Sequence, residues 1–181
     1  MLSAPAAYAV PITFTASLSG PNEVPPNASP ATGSATVIFD IAAHTMQVHV
    51  TFSGLLAPNT ASHIHCCTTV AETGTAGVAT TTPTFPGFPV GVTGVYDHSF
   101  DMTLASSYNP SFVTAHGGIA GAEAFLWAGM QAHESYLNIH SSVYPGGEIR
   151  GFLKEVPEPT SLLLLGSGLA AAGLRSRRRR T

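Results

Sequence analysis

Positive charge is almost missing from the first 174 residues. Lys and Arg number seven, and five of them are Arg175, Arg177, Arg178, Arg179 and Arg180. Residues 1 to 159 therefore carry two cations against all ten Asp and Glu, a net of 2 − 10 = −8 with His neutral. That balance excludes nucleic-acid binding, which needs clustered Lys and Arg to neutralise phosphates. Cysteine is just as scarce: Cys66 and Cys67 are the only two, and they are adjacent. Neighbouring Cα atoms stand about 3.8 Å apart, below the roughly 4.4–6.8 Å of an ordinary disulfide. The pair is read first as a vicinal disulfide of an oxidising compartment, with a thiol pair near a metal or an intermolecular bridge as alternatives. A nucleophilic triad motif, a phosphate-binding Gly loop and zinc-finger spacing are all lacking, which sets a hydrolase aside and leaves no catalytic residue to name. What is abundant is Thr, Ser, Ala, Gly and Pro, the composition of many exported β-rich domains.

Long apolar runs are missing too, except for one near the C-terminus. Val156-Pro157-Glu158-Pro159 leads into an apolar stretch from Thr160 to Leu174, and the Arg cluster follows. Cationic residues behind an apolar segment stay on the cytoplasmic side, which places everything before Val156 outside. The stretch is shorter than the ~20 residues that span a bilayer comfortably, so it suits a transient signal better than a permanent anchor. At the other end, Ala7-Tyr8-Ala9 matches the small-x-small pattern of a signal-peptidase site, and residues 1–9 read as the remnant of a secretory signal. The order of proline turn, apolar span and arginine stop in residues 156–181 resembles the PEP-CTERM sorting tail of bacterial surface proteins. That resemblance implies an exosortase-type membrane protease as partner and a passing inner-membrane intermediate. It also implies a final place at the cell surface or outside the cell, among exopolysaccharide or other envelope components.

Between these ends the hydropathy alternates with a period of two. Ile12, Phe14, Ala16 and Leu18 share one face of a strand, with Thr13, Thr15, Ser17 and Ser19 on the other. Gly33 to Ile41 and Met46 to Phe52 read as two more strands, Ser135 to His140 as another, and Glu148 to Lys154 as the last. Residues 71–95 read as a long ordered loop with one short strand near Val90 to Val95. Asn109 before Pro110 is a helix start and Gly117-Gly118 a stop, so a short helix is expected at Pro110 to His116, with a second over residues 119–132. The expected fold is mainly β, an antiparallel Greek-key-like sandwich with a helical insertion near 110–132.

Two imidazoles two residues apart on a strand project side by side, so His63 and His65 offer a pair of neutral nitrogen ligands suited to copper or zinc. His140 follows Asn138 at the same spacing and would complete a set of three if its strand lies beside the first. The competing reading is that His63 and His65 bond loop carbonyls and organise the turn at Cys66 and Cys67. Glu148 and Arg150 share a face and read as an ion pair that orients a neighbouring imidazole from a second shell.

Several ordered pieces are similar to the CHRD domain, named from repeats in chordin. They are Phe14 to Gly20, Glu23-Val24-Pro25-Pro26, Gly33, Ser62-His63-Ile64-His65, Gly77-Val78, Tyr136 to His140 and Pro145 to Gly151. They run in family order over residues 12–154. The family has no settled molecular activity, so the resemblance implies an exported binding or structural domain, non-catalytic in the first reading, and the His-based metal site rests on the spacing of His63, His65 and His140 alone. His63 and His65 after Gly54-Leu55 also resemble the copper-binding strand of copper/zinc superoxide dismutases, although the chain lacks their distant Cys. That likeness supplies the alternative: a copper- or zinc-dependent redox metalloenzyme on a similar sandwich.

Overall fold

In a computed structural model the described residues are 10–157. The expected signal remnant at 1–9 and the tail from Glu158 onward, Pro159 and the Arg cluster included, lie outside them. Eight strands join one antiparallel sheet: β1 (Ile12–Ser19), β2 (Thr32–Asp40), β3 (Thr45–Ser53), β4 (Asn59–His65), β5 (Gly94–Asp101), β6 (Tyr136–Ser141), β7 (Ile149–Phe152) and β8 (Lys154–Glu155). Their order across the sheet is β4-β6-β7-β1-β2-β3-β5, with β8 laid on β1. The expected mainly β, antiparallel architecture is present, and one continuous sheet curled into a half-barrel supplies the facing layers.

Alternation in the sequence becomes alternation in burial along β1 and β3. Phe14, Ala16 and Leu18 point inward while Thr15 and Ser17 stay exposed; Met46, Val48, Val50 and Phe52 do the same on β3. Each such apolar side chain taken out of water contributes roughly 1.5–3 kcal/mol. The turn between β2 and β3 is held by Asp40, whose carboxylate accepts from the backbone N–H of Ala42 and Ala43. Helix α1 (Pro110–Ala115) starts where the Asn109 side chain accepts from Ser111 N–H, as its sequence suggests. Helix α2 (Ile119–Gln131) closes the mouth of the curl, burying Ala122, Leu126 and Met130 and setting Trp127 against Phe14 and Phe39.

One boundary differs from the sequence reading. The short strand expected at Val90 to Val95 is instead the eight-residue β5, paired with β3 from Gly94 opposite Phe52 to Asp101 opposite Thr45. Tyr96 and Phe100 face the core at period two, so the signal lay just beyond the Pro- and Gly-rich run that masked it.

The long segment between β4 and β5 is not a free loop. Cys66 N–H donates to Gly77 O, Ala79 N–H to Ile64 O and Phe85 N–H to Ser62 O, so the chain folds back along the open edge of β4. An edge strand is thereby covered, and Phe85 and Phe88 enter the core.

Candidate metal centre

His63 and His65 project from the same face of β4, and β6 lies alongside with His63 opposite Asn138 and Ala61 opposite His140. This register puts His140 diagonal to His63 and brings the three imidazoles together. His63 Nε2 and His140 Nε2 are 3.0 Å apart, and one ligand nitrogen from each of the three rings fits within 4.8 Å. A tetrahedral site with bonds of ~2.0 Å holds its nitrogens about 3.3 Å apart, so modest side-chain adjustment reaches coordination.

The other ring nitrogens explain why Nε2 is the free atom. His63 Nδ1 lies 3.3 Å from Pro83 O, His65 Nδ1 2.8 Å from Ala76 O and His140 Nδ1 3.0 Å from Pro145 O. A carbonyl only accepts, so each contact calls for an Nδ1–H, which leaves the lone pair on Nε2. Backbone carbonyls behind the imidazoles are the usual orienting partners of metal-bound histidine. Two come from the segment folded along β4 and the third from the turn between β6 and β7. His65 Nε2 is buried without a hydrogen-bond partner among the described residues, an orphan that a cation would satisfy.

Electrostatics favour the neutral, ligating form. Burial, then the neighbouring His65 and His140, pushes His63 down to about 3. Burial takes His65 down to about 4, with smaller contributions from the charges of His140 and Arg150, against the opposing bond to Ala76. His140 is lowered too, chiefly by burial. A metal arriving at neutral pH therefore displaces no proton.

Glu148 and Arg150 do not orient these rings by hydrogen bonds. Glu148 lies in the turn before β7 and accepts through Oε1 from Ser29 Oγ and Leu56 N–H, each at 2.7 Å. Arg150 pairs with Glu23, 3.9 Å away, and not with Glu148. Its guanidinium carbon sits 4.5 Å from the centre of the Tyr136 ring, which in turn stacks on His65 at 4.7 Å and 7°. Arg150 thus bears on the cluster through Tyr136, and the carbonyls of Pro83, Ala76 and Pro145 take the orienting role.

Cys66 and Cys67 form a disulfide with each other directly after His65. The sulfurs stay out of the imidazole group and pack on α2 at Gly129, where any Cβ would overlap both of them. Glycine there lets the helix approach the end of the strand that carries His63 and His65.

Two further residues, present in the motifs above but not among the expected site residues, bear on the site. Tyr136 shares a face with Asn138 and His140 at period two, a signal that was there to use. Glu23 is 5 % exposed, and burial raises its carboxyl to about 7 against the opposing charge of Arg150.

A β domain built round a buried group of three histidines is the class that fold and site define. The chain belongs to the CHRD domain family, whose model matches residues 14–153, and residues 155–179 match the PEP-CTERM protein-sorting motif. It is accordingly an exported protein, processed by the membrane protease exosortase on its way to the cell surface. No curated protein and no solved structure matches the chain.

Proposed function

We propose that this exported CHRD domain is a non-catalytic envelope domain that holds a transition metal, copper or zinc, on His63, His65 and His140. The observation that carries the reading is the convergence of three Nε2 lone pairs whose Nδ1 atoms are committed to carbonyls. Neutral imidazoles without a carboxylate suit these two metals. Burial suits a structural metal: the three residues are 6 %, 9 % and 9 % exposed. The redox metalloenzyme stays as the second reading because three ligands leave a fourth coordination position open.

Elemental analysis and calorimetric titration of the purified chain test this. One equivalent of copper or zinc is expected, lost in His63→Ala and His140→Ala. Metal at a hundredfold its dissociation constant should stabilise the fold by about 2.7 kcal/mol. Binding that the His variants retain, or none in the native chain, sinks the proposal; redox turnover with bound copper would favour the second reading.

A further inference from the structure

The domain's two cations stand together. Before residue 175 the only Lys and Arg are Arg150 and Lys154. Both line one groove of about 770 Å³ across the outer face of β7, β1 and β2. That volume is in the range of small-molecule sites. Its floor carries the hydroxyls of Thr15, Ser17, Ser34 and Thr36, and the ring of Phe152 forms part of one side. Residues 1–159, with a net of −8, thus place both of their cations beside a hydroxylated floor.

Arg150 is built in without being used up. It is 3 % exposed, its Nε donates to Asn22 O, and its plane rests near Tyr136 and Phe152. Among the described residues its terminal nitrogens have no hydrogen-bond partner, and that fork is the shape that grips a carboxylate with two parallel bonds. Glu23 stands beside it with Oε1 buried and unpartnered among the described residues. The turn leaves room for this carboxyl: a Cβ at Gly147, where φ is +137°, would lie 2.7 Å from both Glu23 oxygens.

We propose that this groove binds a uronic acid, free or as one unit of a polysaccharide, with its carboxylate on Arg150 and its hydroxyls on Glu23 and the Thr and Ser floor. The proposal extends the reading of an envelope binding domain and does not depend on the metal. Glu23 holds its proton up to about pH 7 because burial disfavours the ion. In the neutral form it donates to the ligand; ionised, it competes with the ligand for Arg150. The other charges around it are Lys154 and Glu72, paired with each other at the rim, His133 beside Glu72, and Glu148 beyond Gly147. On β6 Asn138 does not titrate, while Tyr136 lies against Arg150 with His65 stacked behind it. Affinity should therefore fall as pH rises, by about tenfold between 6 and 8 if only the protonated carboxyl accepts the ligand.

Calorimetry of the full chain with galacturonate, trigalacturonate, galactose and acetate tests this, with metal content followed in parallel. Saturable binding of galacturonate, weakened about tenfold from pH 6 to 8, is the expected result. Glu23→Gln should retain binding and lose the pH dependence, and Arg150→Lys should weaken binding at least tenfold. Binding of the trimer as well would identify a polymer unit; binding of the monomer alone would identify the free acid. Equal binding of galactose, equal binding of acetate, or no binding of either uronate overturns the proposal, whatever the metal result.

Discussion

The two halves of the sheet are written in the same alternating pattern and buried differently. On β3 exposed Gln47 and His49 separate buried Met46, Val48 and Val50; on β6 all six residues from Tyr136 to Ser141 are buried. The first half has one covered face, and its Thr, Ser and Gln side chains meet solvent. The second half has two, because the segment folded along β4 and the turn around Glu23 cover its outer side. A buried polar atom without a partner costs about 1–3 kcal/mol, yet His65 Nε2, Asn138 Oδ1, Glu148 Oε2 and Glu23 Oε1 are all left so among the described residues. The contrast shows where to look for ligands: the imidazole group lies on that covered face, and the groove runs from Arg150 and Glu23 at its edge onto the open floor of β1 and β2.

The largest expected effect is where the halves are alike, on the inner face. Leu137 is fully buried between the polar Tyr136 and Asn138 positions, so Leu137→Ala removes core volume and should cost about 2–5 kcal/mol. Val50→Ala on β3 should be destabilising in the same way, though less, since fewer atoms are removed. Urea midpoints measure both; a loss below 1 kcal/mol for Leu137→Ala would mean that the second half is held from its polar side.

Next comes acid. The metal-free fold keeps His63 and His65 neutral to about pH 3 and 4, whereas an unfolded imidazole takes a proton near 6.5. The unfolded chain therefore binds more protons below 6.5, and stability should drop as pH falls from 6.5 toward 4, by roughly 2–3 kcal/mol per imidazole. Glu23 has the opposite sign. Its folded value of about 7 exceeds the ordinary 4.5, so its contribution is complete below 4.5 and is lost as pH rises through 7. Denaturation midpoints from pH 4 to 8 should show the two opposing trends. His63→Asn with His65→Asn should flatten the acid side, and Glu23→Gln should steepen the rise between 4.5 and 7. An acid side unchanged in the His variants would show that the covered face is wet.

Sequence made some of this legible for definite reasons. Side-chain alternation gave β1 and β3, Asn109 before Pro110 gave the start of α1, and the two-residue spacing of His63 and His65 gave their shared face. The cover on that face was not legible, because it is laid down by backbone hydrogen bonds from Cys66, Ala79 and Phe85, which leave no side-chain pattern. Without the cover, the carbonyls of Ala76 and Pro83 had no visible role, and Glu148 looked like the nearest orienting group. Sequence proximity pairs Arg150 with the acid two residues away, whereas the acid beside it comes from the distant turn at Glu23.

The smallest effect is the sharpest check on the contrast. Gln47 is exposed on the outer face of β3, between Ile38 of β2 and Ser99 of β5, and makes no side-chain hydrogen bond among the described residues. Gln47→Ala removes a side chain that stays exposed in the fold, so its effect should stay within about 0.5 kcal/mol. The same logic fails for Asn138 on β6, whose amide is already desolvated and whose loss changes what neighbours the Glu23 carboxyl. If Gln47→Ala shifted the urea midpoint by the equivalent of more than about 1 kcal/mol, the outer face of the first half would also be covered in solution, by another copy or by the residues beyond 157. The difference between the halves would then be one of what covers each face.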